Sequence, residues 1–204
     1  MGNTWFTADT HFGHGRIIET CSRPFADSAE MDAEIIRRWN LAVASADTVW
    51  VLGDWALGDK VRGLEIVSEL HGTKHLVAGN HDACWPGRIG AEKHLKGFLD
   101  AGFASVGAFA RVKLPATIKN VPGRKVLLSH FPYLGGSRGG DRYSQFRLRD
   151  EGQWLLHGHV HGAFLATGRG LNVGVDVHDF APVSALVLAR MIDSIEYESR
   201  TNPG

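Results

Sequence analysis

The chain has 204 residues, 44% of them hydrophobic and 22% charged, and its 22 basic residues balance its 22 acidic residues to a formal net charge of zero. This composition is that of an ordinary globular protein, and the length suits one well-buried core, so we expect a single domain over residues 1–204. A zero net charge excludes a domain that binds nucleic acid or an anionic membrane through bulk charge.

Histidine and glycine are abundant, with 11 and 25 residues, whereas only two cysteines occur. Abundant histidine raises the expectation of metal chemistry, and glycine marks tight turns. Cys21 and Cys84 form no CxxC motif, which favours free thiols in a reducing compartment. Because the sequence shows neither a signal-peptide pattern nor an apolar run of about 18 residues, we expect a cytoplasmic protein without a membrane partner.

The first half of the chain is predicted to alternate strands and helices. Short runs of β-branched and aromatic residues predict the strands, and apolar residues at helical spacing, such as Met31, Ile35 and Trp39, predict the helices. The predicted elements are strands at 4–8, 48–52 and 75–78, helices at 28–44, 57–70 and 88–101, and a loop at 9–25.

The second half is predicted to be rich in strands. Glycine and proline turns separate its short β-type runs, and residues 131–153 form a long polar segment that we expect to be a surface loop. The predicted strands lie at 104–106, 109–114, 125–128, 154–156, 163–167, 172–175, 185–189 and 194–198. The fold class is therefore α/β, with an α/β half followed by a β-rich half.

Polar residues follow directly after five of the predicted strands. In open α/β sheets, ligands bind beyond the carboxyl ends of the strands, so these residues indicate one shared site. Each residue alone has an ordinary alternative as a turn residue, a helix cap or a buried structural histidine. In chain order the residues are Asp9 and His11, then Asp54, then Asn80, His81 and Asp82, then His130, then His159 and His161.

Three histidines, His157, His159 and His161, stand at alternate positions after an apolar run. Alternate residues of an extended chain point to the same side, so these imidazoles are predicted to share one face. Neutral imidazole is the commonest metal ligand in proteins. His157 is nevertheless interpreted as a residue at the strand end or as a hydrogen-bond partner of a ligand.

The ordered set of motifs resembles the five motif blocks of the calcineurin-like metallophosphoesterases. The resemblance implies two packed β-sheets that form a sandwich flanked by helices, with two metals at the strand ends. It implies that Asp9, His11 and His161 hold one metal, that Asn80, His130 and His159 hold the other, and that Asp54 bridges them. The matching motifs are Asp9-Thr10-His11, Gly53-Asp54, Gly79-Asn80-His81-Asp82, His130 and Gly158-His159-Val160-His161.

The implied cofactors are two divalent transition-metal ions. Nitrogen and oxygen ligands without thiolate suit manganese, our first choice, and also iron, zinc, cobalt or nickel. The resemblance implies a phosphoesterase in which a metal-bound hydroxide attacks phosphorus. His81 matches the histidine that protonates the leaving oxygen or stabilises its charge, with Asp82, or alternatively Asp9, orienting its ring. A structural role is the alternative for His81. Asp176 and His178 are interpreted as hydrogen-bond partners near the site or, alternatively, as turn residues between strands.

Four side chains are predicted to contact the substrate phosphate. His14 and Arg16 follow the first ligand pair, and Arg138 and Arg142 lie in a glycine-rich segment. Arginine binds phosphate oxygens in a bidentate manner. The glycines predict that residues 135–149 form a lid over the substrate. The alternative is that these arginines form an exposed charged face.

Three aromatic residues, Phe12, Trp55 and Trp85, follow closely on ligand motifs. They either stack on a substrate ring or pack the loops that aim the ligands, and packing is the preferred interpretation. The resemblance favours a phosphodiesterase for small phosphodiesters or nucleotides, such as cyclic nucleotides. The alternatives are a phosphomonoesterase, a nuclease or a non-catalytic interaction module. The sequence does not determine the oligomeric state.

Overall fold

The computed structural model describes residues 2–136 and 142–201, which form two five-stranded sheets and five α-helices. The strands are β1 (Thr4–Thr7), β2 (Thr48–Val51), β3 (Thr73–Val77), β4 (Phe103–Gly107), β5 (Phe109–Lys113), β6 (Lys125–Ser129), β7 (Trp154–His157), β8 (Ala166–Thr167), β9 (Gly170–Asn172) and β10 (Val183–Ser184). The helices are α1 (Gly15–Cys21), α2 (Ser28–Ala42), α3 (Lys60–Glu69), α4 (Glu92–Asp100) and α5 (Ala185–Thr201), and short 3-10 helices span Ser144–Phe146 and Val175–Val177.

Parallel strands occupy the middle of both sheets. The first sheet has the order β10-β1-β2-β3-β4, in which β1 to β4 are parallel and β10 is antiparallel to β1. The second sheet has the order β5-β6-β7-β9-β8, in which β6, β7 and β9 are parallel. The carboxyl ends of the parallel strands in each sheet therefore meet at one edge, where loops can converge on a ligand.

Two apolar clusters hold these layers together. One lies between the sheets and includes Phe6 of β1, Leu128 of β6 and Leu156 of β7, all fully buried. The other packs the opposite face of the first sheet against helices, with Trp39 of α2 and Ile66 of α3 at its centre. The predicted sandwich of two packed sheets flanked by helices is confirmed.

The C-terminal segment corrects the prediction most clearly, because residues 185–201 form one helix and not two strands. The buried residues Ala185, Leu188, Ala189 and Ile192 recur at helical spacing, and they cover the core between the sheets. Residues 9–25 also contain a helix that was not predicted, the seven-residue α1, in which only Ile17 is buried.

Among the described residues, none of the helices is both long enough and apolar enough to span a membrane.

Replacing Leu188 by alanine is expected to lower the free energy of unfolding by about 2–5 kcal/mol, because the side chain is fully buried. The Leu186→Ala variant is the matched control, since Leu186 is 39% exposed, and its loss is expected to be about 0.5 kcal/mol. In a strand the two side chains would share a face and cost similar amounts. Urea unfolding of both variants measures the difference, and equal losses would contradict the helix.

Candidate metal centre

The backbone at the predicted ligands is strained. Five of the seven have positive φ angles, namely Asp9 (57°), His11 (50°), Asp54 (53°), His159 (71°) and His161 (49°). A non-glycine residue in this left-handed region costs about 1–3 kcal/mol, and such residues cluster at functional sites. The strain turns each side chain away from its strand direction and toward a common space at the sheet edge.

Two glycines let the ligand loops approach one another. Gly53 has a φ of +87°, and a Cβ there would lie 2.6 Å from the His130 ring nitrogen Nδ1. A Cβ at Gly158 would lie 2.6 Å from a carboxylate oxygen of Asp9. Both positions therefore require glycine because the ligands occupy the space that a side chain would fill.

The predicted ligands form two clusters. The ligand atoms of Asp9, His11 and His161 all lie within 4.8 Å of one another, and so do those of Asp54, His130 and His159. Asn80 joins the second cluster, since its Oδ1 lies 3.1 Å from His130 Nε2. The structure thus brings all seven predicted ligands together in the grouping that the resemblance implied.

Asp54 lies between the clusters. Its Oδ2 is 3.6 Å from His11 Nε2 in the first cluster and 3.5 Å from His130 Nε2 in the second. Its carboxylate is buried, and the neighbouring histidines outweigh the effect of burial and hold its pKa below the usual range. A bridging ligand must present an anionic oxygen to both sides, and Asp54 does so.

Buried polar atoms without partners show that these residues fit a metal. In the described part of the chain, both ring nitrogens of His11 and Nε2 of His159 are buried and form no hydrogen bond. Such atoms are costly unless a ligand binds them. Burial lowers the pKa of both histidines, to about 3 for His159, which keeps the imidazoles in the neutral form that binds metals. The nitrogen and oxygen donors suit a divalent transition metal.

Hydrogen bonds from the other ring nitrogens orient two of the ligands. His130 Nδ1 lies 2.8 Å from the carbonyl oxygen of Leu52, which aims Nε2 at Asp54. His161 Nδ1 lies 3.0 Å from Asp176 Oδ2, forming the carboxylate–histidine pair that commonly supports metal ligands. Cys21 also lies beside this pair. The suggested hydrogen-bonding role of Asp176 is therefore seen in the structure.

Arg23 holds Asp176 in place, and sequence analysis did not identify it. Its guanidinium donates to both carboxylate oxygens of Asp176 at 2.8 and 2.9 Å and to the carbonyl oxygens of Asp9 and Thr10 at 2.7 and 3.1 Å. The Arg23 side chain is completely buried. One arginine thus ties the loop after β1 to the residue that orients His161.

The Arg23→Met variant is expected to lower the free energy of unfolding by about 3–5 kcal/mol, because it removes the buried guanidinium that donates to both oxygens of the Asp176 carboxylate and leaves His161 as its remaining ionic partner. Urea unfolding of the metal-free protein measures this effect. The matched control is Arg37→Met, which removes an exposed Arg37–Glu34 pair within α2 and is expected to cost far less. Equal losses in the two variants would contradict an anchoring role for Arg23.

The prediction that the three alternating histidines share one face was wrong. β7 ends at His157, and the left-handed backbone that follows sends His159 and His161 to different clusters. His157 is fully buried, and its Nδ1 lies 2.9 Å from the carbonyl oxygen of Gly158. It lies at the strand end, as interpreted, and outside both ligand clusters.

His81 lies at the rim of the clusters. Its Nε2 is 3.9 Å from Asp54 Oδ2, its side chain is 42% exposed, and burial lowers its pKa although Asp54 partly offsets this. The Asp82 carboxylate accepts hydrogen bonds from the backbone N–H groups of Asp54, Trp55 and Gly79 at 3.0, 2.9 and 2.7 Å. This geometry favours a role for Asp82 in positioning the loops after β2 and β3 over its expected role in orienting the His81 ring.

A cleft of about 440 Å³ opens onto two ligands of the first cluster, His11 and His161, and His81 also lines it. Two of the predicted phosphate contacts, His14 and Arg142, also line it. Arg16 is exposed on α1 and is not one of the described residues that line the cleft. Arg138 lies outside the described residues, as does the 137–141 part of the expected lid.

The three aromatic residues near the ligand motifs pack the loops, as preferred. Phe12, Trp55 and Trp85 are at most 6% exposed, and the rings of Phe12 and Trp55 meet edge to face at 4.8 Å. Their burial removes one argument for a nucleobase stacking on them. Trp85 also contacts Phe146 at 4.8 Å, so the described part of the expected lid is anchored by an aromatic contact.

Comparisons with known proteins agree with this geometry. The family model described as calcineurin-like phosphoesterase matches residues 2–163. The gene 66 protein of Mycobacterium phage L5 is 40% identical over 184 residues, which cover 86% of this chain and 87% of that protein. The gene 66 protein of Mycobacterium phage D29 is 34% identical over 204 residues, which cover 96% and 98%. The crystal structure of a protein of unknown function from Aquifex aeolicus has a TM-score of 0.66 and 26% identity, and the match covers 96% of this chain and all of that chain (100%).

Proposed function

Because the chain belongs to the calcineurin-like phosphoesterase family, we propose that it is a metal-dependent phosphodiesterase for small phosphodiester or nucleotide substrates. The observation that carries the proposal is the position of Asp54, whose Oδ2 faces a histidine of each ligand cluster at 3.6 and 3.5 Å. A pair of clusters with a shared carboxylate is the arrangement that two-metal phosphoryl chemistry requires.

The ligands divide into two sets around this carboxylate. Asp9, His11 and His161 would hold one divalent ion, with manganese our first choice, and Asn80, His130 and His159 would hold the second. When bound, the ions would supply a nucleophile at neutral pH and positive charge for the phosphate oxygens. Asp176, held by Arg23, bonds to His161 Nδ1 and would keep that ring oriented for the first ion, and the Leu52 carbonyl oxygen would do the same for His130 and the second.

The rest of the cleft would bind and orient the substrate. Arg142 would contact a phosphate oxygen through its guanidinium, and His14 would add a second donor. His81 would donate a proton or a hydrogen bond to the leaving oxygen, because its ring lies at the rim of the clusters and is accessible from the cleft. An anionic phosphate beside His81 would favour the protonated ring.

The charge of the cleft supports a diester over a monoester. A diester carries one negative charge on its phosphate group, whereas a monoester near neutral pH carries up to two. Among the described residues that line the cleft, Arg142 is the one lysine or arginine. Both kinds of ester would meet the charge of the two ions, and the single additional side-chain cation matches the monoanionic diester better than a dianionic monoester.

Hydrolysis of bis-p-nitrophenyl phosphate beside p-nitrophenyl phosphate tests the proposal. Metal-stripped protein is assayed with and without manganese, with chelator as the control. We expect manganese-dependent turnover that is faster on the diester, after which cyclic nucleotides would be screened. Faster turnover of the monoester would overturn the diester assignment. No turnover of either ester by protein with bound metal would overturn the proposed activity on simple esters.

A further inference from the structure

A second cavity lies beside the cleft and shares His81 with it. This side cavity has a volume of about 210 Å³, and its walls are mostly apolar, formed by Trp55, Ala56, Leu64 and Phe98. None of the ligands of either cluster lines it. Among the described residues, the side cavity adjoins the candidate metal centre through His81 and through Asp82, whose carboxylate accepts hydrogen bonds from the backbone of Asp54 and Gly79.

The size and walls of the side cavity suit one planar ring. Pockets for drug-sized ligands measure about 300–1,000 Å³, so this smaller space fits a fragment of a substrate and not a whole nucleotide. Apolar walls favour an aromatic or similarly flat group, because burying its faces removes apolar surface from water.

The position of His81 indicates which part of a substrate would enter. A group that gives a proton to the leaving oxygen must lie within hydrogen-bond reach of that oxygen. Whatever is bonded to the leaving oxygen then lies next to His81 as well. The side cavity is the apolar space that His81 lines there.

We propose that the side cavity is the leaving-group subsite, and that it takes the ring of a leaving alcohol that carries a nucleobase or an aryl group. This inference rests on the proposed function, because it uses His81 as the residue beside the leaving oxygen. It assigns the substrate class as diesters whose leaving alcohol bears a ring.

The cations at the mouth of the side cavity favour a nucleobase over a plain hydrocarbon ring. Lys60 of α3 and Lys93 of α4 are exposed, and neither forms a salt bridge with the described residues. Their ammonium groups can donate hydrogen bonds to carbonyl oxygens or ring nitrogens on the edge of a base. The ring faces would contact the apolar walls while its polar edge meets the lysines.

Gly97 provides a way to block the side cavity without disturbing the metal centre. It lines the cavity from α4, and a Cβ added to it would meet no atom within 4 Å. A leucine there can extend into open space, and alanine at the same position adds only one methyl group. Neither change should destabilise the fold, because glycine inside a helix is less favourable than alanine by about 1 kcal/mol.

Binding of two phosphonates tests the subsite without requiring turnover. Both phosphonates are used as their monomethyl esters, which carry one negative charge as a phosphodiester does. Benzylphosphonate has a CH₂ group in place of the leaving oxygen and carries a ring, whereas ethylphosphonate has the same linkage and no ring. Isothermal titration of the manganese-loaded protein is expected to show about tenfold tighter binding of benzylphosphonate. Gly97→Leu is expected to remove this preference, and Gly97→Ala is expected to keep it. Binding of ethylphosphonate should be unchanged in both variants.

A second blocking variant, Ala83→Leu, fills the side cavity from the loop after β3. A preference for benzylphosphonate that persists in both leucine variants would overturn the subsite, as would the lack of any preference in the unaltered protein. Failure of the proposed function has a different signature, because the unaltered protein would then hydrolyse neither nitrophenyl ester.

Discussion

Replacing Asp54 by asparagine is expected to abolish metal-dependent turnover and to reduce the bound metal from two ions per chain to one at most. Asp54 Oδ2 faces both clusters, and asparagine would place there an amide NH₂ or a neutral carbonyl oxygen, neither of which supplies the anionic oxygen that two ions share. Asparagine keeps the shape of the side chain and can still accept the 2.9 Å hydrogen bond that the His81 N–H donates to Asp54 Oδ1. Metal analysis after saturation with manganese and desalting measures the first effect, and hydrolysis of bis-p-nitrophenyl phosphate measures the second.

The matched control for Asp54 is Asp100→Asn, which neutralises an exposed carboxylate at the end of α4 that pairs with Lys96. It should keep both the metal content and the turnover of the unaltered protein. Two bound ions per chain in the Asp54 variant would rule out the bridging role. One ion with full activity would instead show that a single metal suffices.

Replacing His81 by alanine is expected to lower kcat about 10²–10⁴-fold while the protein keeps its full metal content. His81 is not part of either ligand cluster, and its ring is accessible from the cleft. The loss should be larger for a diester with an alkyl leaving group than for a nitrophenyl ester, because a nitrophenolate needs little protonation to leave. Steady-state kinetics on the two kinds of ester, with metal analysis of the same samples, measure this.

His71→Ala is the control for this experiment. His71 is exposed, its ring nitrogen Nδ1 lies 3.0 Å from the carbonyl oxygen of Val43, and it belongs to neither ligand cluster. Its kcat should equal that of the unaltered protein. If the His81 variant loses metal along with activity, His81 acts through the metal centre and not on the leaving oxygen. An equal loss on both kinds of ester would also contradict proton donation.

The helices show where sequence patterns succeed and fail. α2 was predicted within two residues of its ends, because Met31, Ile35 and Trp39 repeat at helical spacing on one buried face. Residues 185–189 and 194–198 were predicted as strands because they are short β-type runs, although Leu188, Ala189 and Ile192 also match a helix. The helical pattern decides there because Ala185, Leu188, Ala189 and Ile192 all join the buried cluster between the two sheets, which one face of a helix brings together.

The candidate metal centre also shows which features local sequence patterns predict and which depend on packing. Each ligand follows a strand directly, so the local sequence was enough to propose all seven positions. The resemblance implied that His159 and His161 hold different metals, whereas the alternation of the histidines predicted a shared face. The left-handed backbone angles that separate the two side chains depend on the surrounding packing, so the alternating pattern could not reveal them. Nor could the sequence distinguish Arg23 from the other arginines, since its partner Asp176 lies 153 residues away in the chain.

The sequence by itself determined the family, the order of the motifs and the chemical types of the ligands, because each of these depends on residues that are close together along the chain. The tertiary structure decided how the backbone separates His159 from His161, which arginine anchors the ligand loops and where the side cavity lies beside His81. These features arise from contacts between segments far apart in the sequence, such as α3 with α4 around the side cavity and Arg23 with Asp176 behind His161. Local patterns carry no information about such contacts, because packing and burial are set only when the whole chain has folded.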